Sequence, residues 1–286
     1  MRRVCFVTCR TWPEISESDR LAQRALEARG VSVQARAWND PGADFTGFAA
    51  VVLRSNWDYH FDAQGFLAWL ERLERTAVPI WNPPPLVRWN LSKRYLLELA
   101  QAGVPTVPTV VLEDATGLGL RRLLTRRGWP AAVLKPMVSA SAHDTRLVSE
   151  ATLDEAVAAL EAGAIRRPVL IQPFVEEIRT RGEWSAIFID TELTHAVLKR
   201  PAAGDFRVQP RLGGTVQAWA PPAGVRAAAQ AALAALPLAP LYARIDGIEA
   251  AAGCLVMEVE VNEPGLFFPH APGAAAHFAE ALLRRL

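Results

Sequence analysis

Lysine is nearly absent from this chain. Among 31 lysine and arginine residues, only Lys93, Lys135 and Lys199 are lysines. Alanine and proline are abundant, so a GC-rich genome that favours arginine codons explains the bias. It does not explain the three exceptions. A compact ammonium point charge is not replaced by a guanidinium fork, so each lysine marks a neighbourhood to inspect. Cysteine is scarce too. Cys5, Cys9 and Cys254 form neither a paired framework nor a metal-ligand spacing. Cys5 and Cys9 share one strand face and read as small core residues. Long apolar runs are missing: none approaches the ~18 residues needed to span a bilayer. The apolar run in the opening "MRRVCFVTCRTWPE" is too short for a secretory signal. Excess charge is missing as well. A net charge of +1 argues against a nucleic-acid surface or a polybasic membrane patch. These absences predict a cytoplasmic protein with no nucleic-acid or membrane partner. Hydrophobic residues make up 51% of 286, which makes the chain globular and long enough for two or three sub-domains with cores.

Strand and helix patterns alternate over the first 90 residues. "VCFVT", "VSVQARAW" and "AAVVLRS" read as strands, and "VPIWNPP" as a short strand and a stop at its prolines. "SESDRLAQRALEARG" and "DAQGFLAWLERLERT" carry the i, i+3, i+4 apolar spacing of helices. This βαβ pattern predicts a parallel sheet, whose ligands bind at the carboxyl ends of the strands. "RSNWDYH" follows the third strand at that end, so Arg54, Trp57, Asp58 and Tyr59 are candidates for a small-molecule contact, or an aromatic cluster packing the loop. "SKRYLLELAQAG" predicts a helix with Ser92 as N-cap and Gly103 as stop. A boundary falls near residue 105, after which shorter strands and helices follow. From about residue 183 strands dominate, among them "EWSAIFID", "LTHAVLKR", "TVQAWA", "LYARIDGIEA" and "CLVMEVEVNE". The fold class is α/β, or α+β taken over the whole chain.

Three stretches carry chemistry. In "LVMEVEVNEPG" the period of two puts Glu258, Glu260 and Asn262 on one strand face. Two carboxylates and a carboxamide among valines mean either solvation at a sheet edge or a divalent cation, because magnesium takes oxygen ligands. "ARIDG" adds Arg244 and Asp246 on one face. In "AAVLKPMVSASAHD" Lys135 ends a buried strand before a turn of small residues, where backbone N–H groups can approach a polyanion. "VLIQPFVEEIRTRGEW" is an apolar strand running into Gln172, Pro173, Phe174 and Val175. The Pro173 C=O and Val175 N–H match the acceptor and donor that an adenine edge requires, although taken by itself the stretch reads better as an ordinary strand end. Glu183 starts the next strand. "VLKRPAAGDFRVQPRLGGT" supplies Lys199 and Arg207, as polyphosphate ligands or as salt-bridge partners.

The order of these parts resembles the ATP-grasp ligases along almost the whole chain. "WNLSK", "GVPTVPT", Lys-Pro before a small-residue loop, Gln-x-Phe-Val, Gly-Glu and Asp…Glu-x-Asn follow one another as in that superfamily. "LRSNWDY", "WNLSKRYL" and "KRPAAGDFRVQ" are similar to the branch of cycloserine-forming O-ureido-serine cyclo-ligases, near the prokaryotic glutathione synthetases. The resemblance implies an N-terminal pre-grasp domain (1–104), a central lid domain (105–175) and a C-terminal grasp domain with a metal site (176–286). It implies that Lys93 and Lys135 contact ATP, that Gln172 to Val175 frame adenine and that Glu183 binds ribose. It also implies that Asp246, Glu260 and Asn262 bind two magnesium ions, or manganese, with Glu258 outside the pattern. Ser185 stands where glutathione synthetases carry an arginine, which speaks against glutathione-type substrates.

The chemistry that the resemblance implies is activation of a carboxylate as an acyl phosphate, which a nitrogen then attacks. Lys199, Arg207 and Arg244 serve as catalytic cations, and the loop 137–144 closes over the phosphates. Arg54, Trp57 and Tyr59 hold a small amino-acid-like carboxylate. A small-molecule kinase on the same ATP site is the rival, and a nucleotide-binding regulator a weaker one. Pairing of two copies is left open.

Overall fold

The apolar runs of the sequence become strands and sort into three sheets. The computed structural model describes residues 2–286 apart from Asp114, Ser141 and Arg166. The first sheet is parallel, in the order β2-β1-β3-β4. It consists of β1 (Arg2–Thr8), β2 (Val31–Ala37), β3 (Ala50–Leu53) and β4 (Ile80–Trp81). Every residue of β3 is buried, as expected where helices cover both faces of a parallel sheet. On one face Val4, Phe6 and Val52 pack with Ala22 and Leu26 of the helix Asp19–Glu27 and with Phe278 of the helix Ala274–Leu283. On the other, Val7, Val51 and Leu53 meet Phe66, Trp69 and Leu70 of the helix Ala63–Glu74. Cys5 and Cys9 are buried as core residues, and burial pushes the Cys5 thiol up to about 12.

The second sheet is antiparallel, in the order β5-β8-β6-β7, from β5 (Val110–Leu112), β6 (Ala131–Pro136), β7 (Arg146–Ser149) and β8 (Val169–Pro173). Two amphipathic helices, Gly117–Arg127 and Leu153–Glu161, cover it through Leu120, Leu123 and Leu160. The third sheet is also antiparallel, in the order β11-β10-β9-β12-β13. Its strands are β9 (Glu183–Ile189), β10 (Glu192–Arg200), β11 (Thr215–Trp219), β12 (Tyr242–Ala250) and β13 (Gly253–Glu260). One face packs on the helices Tyr95–Gln101 and Ala223–Ala234. From the other, Ile187, Val197 and Tyr242 enter the core of the first sheet. Asn82 fastens the two sheets. It is fully buried, its Nδ2 donates to the carbonyls of Tyr242 (2.8 Å) and Val261 (2.7 Å), and its Oδ1 accepts from the Leu241 N–H (2.6 Å).

Two local expectations are corrected. "NPPPLVRWNL" does not stop the chain: it starts a helix, Pro84–Leu91, because proline at a first helical position lacks only an N–H that would be unpaired anyway. Ser92 therefore follows that helix and is not an N-cap. The next helix, Tyr95–Gln101, is preceded by Arg94 with no side-chain cap. Gly103 does end it, at φ +83°.

Candidate active site

A cleft of about 280 Å³ opens between the second and third sheets. Its charged floor follows from strand register. On β12 and β13, Asp246 stands opposite Glu258 and Arg244 opposite Glu260. On β9 and β10, Glu183 stands opposite Lys199. A bulge between Asp246 and Gly247 interrupts the pairing there, and such bulges re-aim side chains. One carboxylate oxygen from each of Asp246, Glu258 and Glu260 lies within 4.8 Å of the others. β13 is the outermost strand of its sheet, but these acids face the cleft, so solvation at an edge does not account for them.

The cations are matched to the acids. Arg244 binds both Asp246 (Nη2 to Oδ2, 2.9 Å) and Glu260. Lys199 binds Glu183 and lies 3.3 Å from Asp246, and Lys93 binds Glu258. The Ser185 hydroxyl donates to Asp246, so the residue standing in place of arginine supports the acid cluster. Burial opposes ionisation of Asp246, but Arg244 and Lys199 outweigh it and hold that carboxyl at about 2. Glu260 is pushed up to about 7 by burial, with Glu258 and Asp246 adding to it against Arg244. Glu258 is lowered: Lys93 and Lys135 overcome its burial. Lys135 is the lysine with no ion pair to a described residue, and burial lowers its pKa.

The second sheet and the chain leaving it form the other wall. Gln172 is buried and its Nε2 donates to Thr109 Oγ1 at 3.0 Å. Phe174 donates its N–H to Ala131 O (3.0 Å) and meets Phe206 edge-on at 5.7 Å. Pro173, Val175, Met257 and Ile178 complete an apolar end. The Val175 N–H has no partner among the described residues. Lys93 is tied to the small-residue loop through its own N–H, which donates to Met137 O at 2.8 Å. Within that loop Ser139, Ala140 and Ala142 line the cleft, while Ser141 lies outside the described residues. Arg207 lines it too, paired with Asp205 and partly exposed.

The acceptor end differs from expectation. Arg54 does not line the cleft. It is 1% exposed, its guanidinium binds Asp19 Oδ1 (2.9 and 3.1 Å) and the Pro264 carbonyl (2.8 Å), and it stacks on Tyr242. A carboxylate already occupies the fork, so Arg54 is corrected from substrate anchor to structural clamp. Trp57 does line the cleft, and Tyr59 borders a small adjoining recess. Asn262 lies beyond the strand: β13 ends at Glu260, and Asn262 is buried with its Oδ1 accepting from Asn56 Nδ2 at 3.1 Å. Glu258, expected to stand apart, takes the third place in the acid cluster. Sequence reasoning also passed over Glu263, which lines both cavities. The available signal was an acid in "NEPG" at the carboxyl end of a strand already rich in acids.

A lid-like sheet facing an antiparallel sheet across a cleft of paired acids and cations, with an α/β domain alongside, is the layout of an ATP-grasp ligase. Solved structures share it. D-alanine–D-alanine ligase from Bacillus anthracis superposes with TM-score 0.72 at 18% identity, covering 99% of this chain and 95% of that one. The ATP-grasp ligase PsnB, complexed with a precursor variant, Mg and ADP, gives TM-score 0.68 at 18% identity, covering 99% and 98%. At that identity the likeness shows the fold alone. The crystal structure of D-cycloserine synthetase DcsG superposes with TM-score 0.87 at 30% identity over 99% of both chains. The cycloserine biosynthesis protein DcsG of Streptomyces lavendulae is 34% identical over 92% of this chain and 91% of its own length. Residues 4–82 match the family model for the D-cycloserine synthetase DcsG N-terminal domain. A glutathione synthetase of Prochlorococcus marinus (strain MIT 9313) is 29% identical over 66% of this chain and 60% of its own. The chain belongs to the ATP-grasp ligase family that includes DcsG. Among the described residues no helix is long and apolar enough to cross a membrane.

Proposed function

We propose that this protein closes a ring within a small amino-acid-like substrate by ATP-dependent carboxylate–nitrogen ligation, as in O-ureido-serine cyclo-ligation. The observation that carries the reading is the acid cluster of Asp246, Glu258 and Glu260 sharing one cleft with Lys135, which has no ion pair among the described residues. A carboxylate oxygen of the substrate attacks the γ-phosphorus of ATP, and ADP leaves. The ureido nitrogen then attacks the acyl carbon, loses its proton, and phosphate departs. The protein's part is positioning and charge neutralisation.

In this reading adenine lies against Gln172, Pro173, Phe174 and Val175, whose N–H, without a partner among the described residues, is the donor it needs. Glu183, steadied by Lys199, holds the ribose. Lys93 and Lys135 contact phosphate oxygens, and Lys199, Arg207 and Arg244 offset charge on the transferring group. The loop 137–144, already bonded to Lys93, keeps water from the acyl phosphate. Trp57 and Tyr59 shape the acceptor end.

The residues fit magnesium. All three clustered groups are hard oxygen donors. Asn262 Nδ2 and Asn56 Oδ1 are both buried without partners among the described residues. Turning both carboxamides over keeps the bond between them and offers the Asn262 oxygen at the unpartnered position. Asp246, Glu260 and Asn262 would hold the ions together with Glu258, and manganese has the same ligand preference. Bound there, the metal would offset phosphate charge. Two ions are favoured by the charge of the cleft. Its lining carries five acids (Glu183, Asp246, Glu258, Glu260, Glu263) and five bases (Lys93, Lys135, Lys199, Arg207, Arg244), formally neutral, so ATP needs its own cations. The three-part division at 1–104, 105–175 and 176–286, a cytoplasmic location and a homodimer complete the proposal.

The test is ADP release with magnesium across amino acids and their ureido and hydroxamate derivatives, with mass analysis of the product. A ring that has lost water from the substrate supports the reading. A stable phosphorylated product, formed without any nitrogen requirement, establishes a kinase instead.

A further inference from the structure

Four of the five carboxylates lining the cleft have an ion-pair partner. Glu263 has none among the described residues. It is 7% exposed, yet lines the cleft and the recess beside it. A buried carboxyl without a cation holds its proton, and burial raises Glu263 to about 8, or it takes a cation from a ligand. The neighbour turned toward it is the Tyr59 side chain, and a phenol is not a countercharge.

The backbone around Glu263 is pinned. The Trp57 Nε1–H donates to the Glu263 carbonyl at 3.1 Å. Arg54 holds the next carbonyl, that of Pro264, at 2.8 Å, and Asn56 bonds Asn262 at 3.1 Å. Three successive residues, Asn262, Glu263 and Pro264, are thus tied to the segment 54–57. The protein fixes this carboxyl at the acceptor end with no ion pair among the described residues, and a cationic group on the ligand would give it one.

We propose that Glu263 is a specificity-determining residue that receives the α-ammonium of an amino-acid substrate, with Trp57 and Tyr59 forming the wall beside it. This rests on the ligase reading above and names its substrate class: carboxylates that carry a neighbouring cationic nitrogen. Magnesium does not need Glu263 in this arrangement, because three other acids already converge.

The experiment compares O-ureido-D-serine with 3-(ureidooxy)propanoate, which lacks only the amino group. Both are titrated calorimetrically into wild type and Glu263→Gln, with magnesium and a non-hydrolysable ATP analogue present. Wild type should bind the amine about 10- to 100-fold more tightly, the scale of one charge-assisted hydrogen bond. Glu263→Gln should bind the two alike, with unchanged affinity for the nucleotide analogue. Glu263→Asp should keep part of the preference. The assignment is overturned if wild type binds neither ligand or does not distinguish them, or if Glu263→Gln keeps the wild-type preference. Equal loss of turnover on both ligands with the binding preference intact would make Glu263 a proton acceptor and also overturn it. Binding is read without turnover, so failure of the ligase reading, seen as no ADP release from any carboxylate, is a separate result.

Discussion

Replacing Arg54 by alanine tests whether "RSNWDYH" opens on a substrate anchor or a structural clamp. The Arg54–Asp19 pair is almost wholly buried, with side chains 1% and 3% exposed. Removing one partner of such a pair leaves an uncompensated charge and costs about 3–5 kcal/mol. Loss of the donor to the Pro264 carbonyl adds about 1 kcal/mol. The sum, about 4–6 kcal/mol, rivals the 5–15 kcal/mol that typically holds a domain together. At roughly 2–4 °C per kcal/mol for a chain of this class, Arg54→Ala should lower Tm by about 10–20 °C. Urea unfolding followed by tryptophan fluorescence gives the same quantity independently. Replacing both partners by leucine should recover much of the loss, because a paired apolar replacement removes the orphaned charge as well. Asp19→Asn alone should not, since Arg54 then stays buried and unpaired. If Arg54→Ala keeps the wild-type Tm and instead raises the acceptor KM, the clamp assignment is wrong and Arg54 returns to the substrate site.

Three further perturbations probe the cleft. Lys135→Arg keeps the charge but not the compact ammonium, and should cost about 10²–10³ in kcat, the scale of one lost transition-state donor, at unchanged Tm; normal kinetics would make the lysine a chance survivor of codon bias. Glu258→Gln should impair magnesium-dependent ADP release as severely as Glu260→Gln, whereas an unaltered magnesium titration would put Glu258 outside the metal set. In Gly247→Ala the new Cβ would fall 2.1 Å from Trp184 Cζ2 and 2.4 Å from the Leu255 carbonyl oxygen. That overpacking should cost about 1–3 kcal/mol or more and weaken magnesium binding by moving Asp246; a wild-type melt would show that the bulge yields freely.

Much of the fold was legible because burial writes a period into the sequence. The "AAVVL" run announces a strand covered on both faces, and β3 is one. β13 shows its period of two in "VMEVE", and β9, β10 and β12 carry the apolar and β-branched runs of covered strands. Which acid meets which was not legible, because register is a relation between strands that no single strand encodes. The placement of Glu258 across from Asp246, with a bulge at the next residue, follows from that register. The first helical turn built on "PPP" was misread for a different reason: proline punctuates the chain in both directions, and only the surrounding packing decides between a stop and a start.

The errors at the site share one cause, the end of a strand. Up to Glu260 the alternation of β13 assigns each side chain a face, and Glu258 and Glu260 obey it. Beyond Glu260 the chain bends, and side-chain direction is set by bonds to a segment 200 residues earlier: Arg54 to Pro264, Asn56 to Asn262, Trp57 to Glu263. Extrapolating the period turned Glu263 away from the two acids and gave no sign of the Asn56 bond that orients Asn262. The same contacts explain why Arg54 looked available: "RSNWDYH" does sit at the carboxyl end of a parallel strand, where ligands bind. Its role there is to hold the "NEPG" turn in place, and that turn carries a carboxylate the sequence analysis had left out of the site.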